Sequence, residues 1–116
     1  MEKHIEISIL CEIYGKLLTE KQKDAINDYY NNDLSLAEIA ENQGVSRQAV
    51  RNLIKSGEEK LLEYENALKL LKTKQQSQKI LKRILSKIDK ISETIQNDEH
   101  KQTINQIKKE LSKIIV

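Results

Sequence analysis

Residues 36–55, LAEIAENQGVSRQAVRNLIK, constrain the fold of this chain more than any other stretch. They predict two helices joined by a three-residue turn. Ser35 and Glu38 form a capping box that starts the first helix, and Gly44 is the residue type that takes the left-handed conformation with which many helices end. Ser46 supplies the hydroxyl of an N-cap for the second helix. The pattern is that of a helix-turn-helix.

The apolar residues of this stretch fall where a helix-turn-helix packs its two helices together. They are Ile39, Ala40, Val45, Val50 and Leu53. Ala40 is predicted to lie where the helices cross, and a larger side chain there would push them apart. The apolar pattern therefore supports the same motif as the caps.

The second helix gathers its polar side chains on one face. At about 100° per residue they occupy an arc of roughly 140°; they are Arg47, Gln48, Arg51, Asn52 and Lys55. Arg, Gln and Asn make bidentate contacts to base edges, and Lys and Arg neutralise phosphate. These residues are the candidate nucleic-acid site of the helix-turn-helix. The alternatives are a face that is only solvated, and a helix-turn-helix that binds protein.

Two further helices are predicted before this motif. An apolar stripe predicts a helix over about residues 2–17; its members are Ile5, Ile9, Leu10, Ile13, Tyr14 and Leu17. A second capping box, Thr19 with Gln22, opens a helix that ends near residue 31. Tyr29 and Tyr30 on this helix either stack on bases or bury their rings against the protein, and we favour burial.

The sequence after the helix-turn-helix predicts an interruption and then more helix. Residues 56–59, SGEE, interrupt or kink the helical pattern, so the second helix of the motif is predicted to stop or bend there. A helix then continues to about Lys72. Together, residues 1–72 form a predicted helix-turn-helix head.

Residues 73–116 predict a C-terminal arm with coiled-coil periodicity. Apolar side chains recur at steps of three and four; they are Leu81, Ile84, Ile88, Ile91 and Ile95, then Ile104, Ile107, Leu111 and Ile114. A polar turn over residues 96–100 separates the two runs, which indicates an antiparallel helical hairpin. The fold class is therefore all-α, with head and arm forming one structural unit.

Positive charge is concentrated in this arm. The net charge of the whole chain is +2, but residues 73–116 carry ten basic against five acidic side chains, whereas residues 1–33 carry four against seven. Lys82 and Arg83 decorate the outside of the first arm helix. They are either part of a solvated face or an electrostatic footprint for RNA or DNA phosphate, and they complete the candidate nucleic-acid-binding residues.

Composition and spacing argue against several other classes of protein. The chain has no Pro, Trp or Phe and only three Gly, which favours helix. Cys11 is the only cysteine and His4 and His100 are isolated, so no internal disulfide, metal site or cofactor is expected. No Gly-rich phosphate loop or nucleophile–base grouping is present, so we do not expect an enzyme. The N-terminus is unlike a signal peptide and no apolar run reaches membrane-spanning length, so a soluble, cytoplasmic protein without membrane insertion is expected.

Several short motifs, in the same order along the chain, also resemble those of a known protein family. They are YGKLLTEKQ at residues 14–22, Tyr29-Tyr30, SLAEIA at residues 35–40 and VSRQAV at residues 45–50. With them the chain resembles the YlxM-like family of small bacterial helix-turn-helix proteins, which are similar to region four of sigma factors. The resemblance implies an all-helical protein encoded beside the GTPase of the signal recognition particle and its receptor. It also implies an accessory or regulatory role in that targeting pathway.

Two functions follow as hypotheses, with a structural adaptor as a third. The first is an accessory protein of the signal recognition particle that binds its RNA or its GTPase. The second is a transcriptional regulator whose second helix enters the DNA major groove. The acidic head and basic arm favour the first, because a duplex binder would concentrate positive charge around the recognition helix.

We also predict a homodimer held largely by the C-terminal helices. Ile80 flanks the first apolar seam, and Ile115 and Val116 flank the second. The apolar faces are therefore wider than one partner helix covers, and an arm of this size carries too little core to stand alone.

Overall fold

The computed structural model describes residues 2–114, which form six α-helices and no strand. The helices are α1 (Lys3–Tyr14), α2 (Glu20–Tyr30), α3 (Leu36–Gln43), α4 (Arg47–Leu68), α5 (Leu70–Thr94) and α6 (Asp98–Ser112), with a single 3-10 turn at Gly15–Leu17. The chain divides into an N-terminal unit, Met1–Leu71, and a C-terminal unit, Lys72–Val116. The all-α prediction is confirmed.

Helix starts in the N-terminal unit follow the caps that the sequence provides. Thr19 Oγ1 accepts a hydrogen bond from the Gln22 amide at 3.2 Å, and Gln22 Oε1 accepts one from the Thr19 amide at 3.1 Å. Ser35 and Glu38 make the same reciprocal pair at the start of α3. Each capping box satisfies two amides that a helix start leaves without partners. Both predictions of a capping box are confirmed.

The turn between α3 and α4 also has its predicted form. Gly44 has φ +67° and ψ +34°, and Ser46 Oγ accepts a hydrogen bond from the Ala49 amide at 3.0 Å. The Val45 amide bonds back to the Ala40 carbonyl at 3.0 Å. A side chain at Gly44 would be strained because its backbone is left-handed. These local bonds set the direction in which α4 leaves α3.

The helix-turn-helix has a core of its own. Its buried members come from α2, α3 and α4 and are Ala25, Ile39, Ala40, Val50 and Ile54. Val45 and Leu53 are half-buried against them. The predicted place of Ala40 is confirmed, since it is buried among side chains of both crossing helices.

A second core joins α1, α2 and α4. Its buried members are Ile7, Leu10, Cys11, Tyr14, Leu18, Ile26, Leu61 and Leu71. The predicted stripe of α1 is partly wrong, because Ile5 and Leu17 are exposed and Ile7 is buried instead. Helix α1 begins only at Lys3 and ends before Leu17, so those two residues lie at or beyond its ends, where less protein covers them. Burial raises the pKa of the Cys11 thiol, as is usual for an inert core cysteine.

Helix α4 does not stop at residues 56–59, so the prediction that it stops there is wrong. It runs without interruption from Arg47 to Leu68. Gly57 lies inside the helix and is buried, and a Cβ on it would overlap Cδ1 of Ile26 in α2. Gly57 therefore serves the close approach of two helices rather than a turn. Ser56 is a packing residue as well, because its Oγ accepts a hydrogen bond from Gln22 Nε2 at 3.0 Å.

The helix ends at Leu68, a few residues before the predicted end near Lys72. Lys69 has φ +54° and ψ +34°, and helix α5 begins at the next residue. Buried Tyr14 supports this turn, since its hydroxyl donates to Glu65 Oε1 at 2.7 Å and accepts from the Leu70 amide at 3.1 Å. Burial, followed by the bond to Glu65, raises the pKa of Tyr14. The hydroxyl thus stays protonated and able to donate.

The C-terminal unit contains most of α5 and all of α6. Asn97 Oδ1 caps α6 by accepting a hydrogen bond from the His100 amide at 3.2 Å, and Lys108 of α6 forms an ion pair with Asp89 of α5. The turn between the helices spans residues 95–97 rather than the predicted 96–100. The apolar seam is covered unevenly, for Leu81 is buried and Ile91 is 56% exposed.

Candidate nucleic-acid interface

The structure brings the predicted head residues together on one exposed face. Arg47, Gln48, Arg51, Asn52 and Lys55 occupy the first turns of α4, and all of them are exposed. The turn at Gly44 and the Ser46 cap place this part of α4 at the surface, while Val50 and Ile54 on its other side fill the core. We name these five residues the α4 face.

Amide groups on the α4 face already interact with each other. Gln48 Nε2 donates a hydrogen bond to Asn52 Oδ1 at 3.2 Å. This bond leaves the Gln48 carbonyl oxygen as an acceptor and the Asn52 amide nitrogen as a donor. The pair is therefore held in place and can still offer one group of each kind to a ligand.

The electrostatics of the α4 face favour an anion. No acidic residue interrupts α4 from Arg47 to Lys55, and in the part of the chain that the structure describes neither these two nor Arg51 is in an ion pair. Three cations on about two turns of helix make a local positive field. The face is thus positive even though the first third of the chain is acidic.

The first acidic residue that follows the α4 face in sequence, Glu58, interacts with other protein groups. Its carboxylate accepts a hydrogen bond from the Tyr30 hydroxyl and lies 3.6 Å from Lys3 Nζ. Burial raises the pKa of Tyr30, and the bond to Glu58 raises it further, so the hydroxyl remains a donor. The negative charge of Glu58 is in this way partly offset by protein groups.

Two depressions border the α4 face. One has a volume of about 570 Å³ and lies between the start of α3 and the start of α4, where Leu36 and Ala37 face Arg47 and Arg51. The other has a volume of about 280 Å³ and lies beside Tyr29. Sequence reasoning did not connect the start of α3 with the α4 face.

Lys82 and Arg83 lie on α5 in the C-terminal unit, and both are exposed. Their neighbours Lys79 and Lys87 are exposed on the same helix. They form a second group of cations that belongs to a different unit from the α4 face. Their contact with nucleic acid stays a prediction.

Residues 2–114 lack two features that other classes of protein have. No group of three or more His, Cys, Asp or Glu side chains is placed to hold a metal ion. Within the same residues, no helix is long and apolar enough to cross a membrane.

Comparison with known proteins identifies the family. The model of UPF0122, described as "Putative helix-turn-helix protein, YlxM / p13 like", matches residues 1–109. The chain belongs to this family. The observed turn from α3 to α4 is the structural form of the helix-turn-helix in the UPF0122 description, and the resemblance to YlxM-like proteins is confirmed.

Relatives in the UPF0122 family match most of the chain. A UPF0122 protein of Clostridium kluyveri is 44% identical over 108 residues, which cover 93% of this chain and 94% of the relative. One from Clostridium acetobutylicum is 41% identical over 112 residues, covering 97% of each chain. A third, from Fusobacterium nucleatum, is 47% identical over 81 residues, covering 70% of this chain and 79% of its own length. The similarity thus extends through the C-terminal unit.

Proposed function

We propose that this protein binds nucleic acid through the α4 face and acts as an accessory protein of the signal recognition particle. The observation that carries the proposal is the α4 face itself: three cations that form no ion pair within residues 2–114 and two amide side chains, all exposed on the second helix of a helix-turn-helix. Such a face can contact phosphate and base edges together.

The three cations and the two amides have different roles in this proposal. Arg47 and Arg51 lie one helical turn apart and can contact successive phosphates or guanine edges, and Lys55 extends the positive row by a further turn. Gln48 and Asn52 supply one acceptor and one donor for a base edge. Binding by such a set combines a charge term that weakens with salt and a smaller term that depends on sequence.

The proposed role in the signal recognition particle rests on the resemblance to YlxM-like proteins. Its RNA is the proposed nucleic acid, and its GTPase is the proposed protein partner. The distribution of charge supports RNA over a DNA duplex: the α4 face is positive locally, but the net positive surplus of the chain lies in residues 73–116. Lys82 and Arg83 would then extend the contact with RNA phosphate beyond the α4 face.

Direct titration tests which nucleic acid the protein binds most tightly. Fluorescence anisotropy would compare the particle RNA, an unrelated structured RNA of equal length and duplex DNA, all at one salt concentration. We expect the tightest binding to the particle RNA, because part of the α4 face reads bases rather than charge. Equal affinity for both RNAs would contradict a role in the particle, although it would leave RNA binding in place.

A DNA-binding regulator of transcription is the second candidate. It is favoured by one observation, the position of the α4 face on the second helix, which is the helix that enters the major groove in DNA-binding helix-turn-helix proteins. Selection of bound fragments from genomic DNA would distinguish the candidates. A discrete set of promoter fragments, bound more tightly than the particle RNA, would establish this function instead.

We further propose that the protein is a homodimer held by its C-terminal helices. Apolar side chains that the seam pattern predicts to be covered are exposed, among them Ile84, Ile91 and Ile107. Ile115 and Val116, which also entered this prediction, lie outside the described residues. A second copy would cover these side chains and remove their apolar surface from water.

Light scattering tests the dimer. We expect a mass twice the 13.5 kDa of one chain, and a monomer for Ile84→Asp with Ile91→Asp, because a charge would then be buried in the interface. The control, Lys79→Ala with Lys87→Ala, should remain a dimer. A monomeric wild-type protein, or a dimer that survives removal of residues 75–116, would contradict the proposal.

A further inference from the structure

The last turn of α2 places a pair of aromatic rings next to the α4 face. The ring centroids of Tyr29 and Tyr30 lie 5.0 Å apart with their planes perpendicular. Tyr30 is half-buried and its hydroxyl donates a hydrogen bond to Glu58, which holds its ring in place. Tyr29 remains 41% exposed. The expectation that both tyrosines bury their rings therefore holds for Tyr30 and not for Tyr29.

A pocket of about 280 Å³ opens beside these rings. Leu36 and Ile54 give it apolar surface, Tyr29 and Tyr30 an aromatic wall, and Arg51 and Lys55 a cationic side. The volume is just below the roughly 300 Å³ at which pockets for drug-sized ligands begin. The pocket therefore suits a single planar ring system.

We infer that this pocket holds one unpaired nucleobase of an RNA that lies across the α4 face. The inference rests on the proposed function and deepens it. An aromatic wall offers a face for stacking, and apolar surface favours a ring over a charged group. The cations of the α4 face lie on the same pocket, so the phosphate attached to the base would meet Arg51 and Lys55.

The polarity of the pocket fixes the orientation of the nucleotide. Glu58 also lines the pocket, and its carboxylate disfavours phosphate on the side where Tyr30 and Lys3 hold it. The phosphate is thereby directed to Arg51 and Lys55, and the base to the tyrosines. A base inside a Watson–Crick duplex cannot be placed in this way, because both of its faces are stacked on neighbours.

Loops, bulges and single strands are therefore the RNA elements that this pocket would select. It adds a selectivity for unpaired bases to the contacts of the α4 face, because the phosphate contacts of that face carry no information about strandedness. In this arrangement the α4 face holds the backbone and Tyr29 recognises that a base is unstacked.

The test compares two RNA probes that share one stem. One is a hairpin with an unpaired uridine loop, and the other is the blunt duplex of its stem. We expect Tyr29→Ala to weaken binding of the hairpin about tenfold, the loss typical of one stacked base, and to leave duplex binding unchanged. Tyr29→Phe should bind like the wild type, because the phenyl ring still stacks. Leu17→Ala, which removes another exposed apolar side chain of the same unit, is the control and should change neither affinity.

A spectroscopic variant reports on the pocket itself. The chain contains no tryptophan, so Tyr29→Trp introduces a single indole. Stacking of a base on it should quench its emission when the hairpin is added, and the duplex should not. This measurement shows whether a base stacks at position 29 even if Tyr29→Ala melts at a lower temperature than the wild type.

The outcomes separate this inference from the proposed function. If the wild type binds the hairpin and Tyr29→Ala binds it equally well, without quenching in Tyr29→Trp, the base pocket is wrong and RNA binding by the α4 face stands. If the wild type binds neither probe nor the particle RNA, both proposals are wrong. If Tyr29→Ala weakens hairpin and duplex alike, Tyr29 does not recognise an unpaired base.

Discussion

Replacing Arg47 and Arg51 together by alanine is expected to weaken nucleic-acid binding by about 1–3 kcal/mol for each arginine that contacts a base edge. For each arginine that contacts phosphate, the slope of log K against log salt should fall by about one. Both side chains are exposed and lie outside the two cores, so the melting temperature should stay within the small range typical of surface substitutions. Anisotropy titrations at several salt concentrations measure both effects.

Two variants control for charge in this experiment. Lys60→Ala removes a cation from the same helix on the side away from the α4 face, and it should change affinity little. Lys82→Ala with Arg83→Ala removes two cations from the C-terminal unit and tests that region directly. A titration curve unchanged by loss of Arg47 and Arg51, but shifted by loss of Lys82 and Arg83, would move the binding site to α5.

Replacing Gly57 by alanine is expected to destabilise the protein although it improves helix propensity. Alanine in a helix interior is favoured over glycine by up to about 1 kcal/mol. The added Cβ would overlap Cδ1 of Ile26, so the end of this fully buried side chain must shift, and we expect an overpacking cost of about 1–3 kcal/mol. A net loss of up to about 2 kcal/mol is therefore expected. Each kcal/mol lowers the melting temperature of a domain this size by about 4–8 °C.

A compensating substitution shows whether this contact is the cause. Ile26→Val removes the Cδ1 atom and alone should cost about 0.5–1.5 kcal/mol. In the double variant the valine leaves space for the new Cβ, so its loss of stability should be smaller than the sum of the single losses. Additive losses, or a more stable Gly57→Ala protein, would show that α2 and α4 are not in close contact at Gly57. Lys60→Ala, at an exposed position of α4, should melt like the wild type.

The helix-turn-helix could be predicted from sequence because local groups determine it. Ser35 bonds to the amide of Glu38, and Ser46 to that of Ala49, each three residues away. Gly44 needs only its own left-handed backbone. The α4 face followed from helical periodicity alone, since neighbours on one face are three and four residues apart. No distant contact had to be known for any of these features.

The C-terminal unit shows what a periodic pattern of apolar residues can predict and what it cannot. The repeat of apolar residues predicted two helices, and α5 and α6 are present with a polar turn between them. The pattern did not reveal which seam residues are covered, and Leu81 and Ile91 differ widely in exposure. Periodicity assigns a side chain to a face, whereas its burial depends on what packs against that face.

Tertiary structure decided that α4 continues past residues 56 and 57 and that it ends at Leu68 rather than near Lys72. The serine and glycine at residues 56 and 57 look like a break, yet their roles depend on α2, where Gln22 bonds to Ser56 and Ile26 fills the space above Gly57. The true end at Leu68 has no local breaker. It is supported by Tyr14, which bonds to a carboxylate 51 residues away and to an amide 56 residues away. The sequence by itself determined those features whose bonds span one helical turn. Features that depend on the approach of two helices were decided only when the whole N-terminal unit packed, because the residues that make them are far apart in the chain.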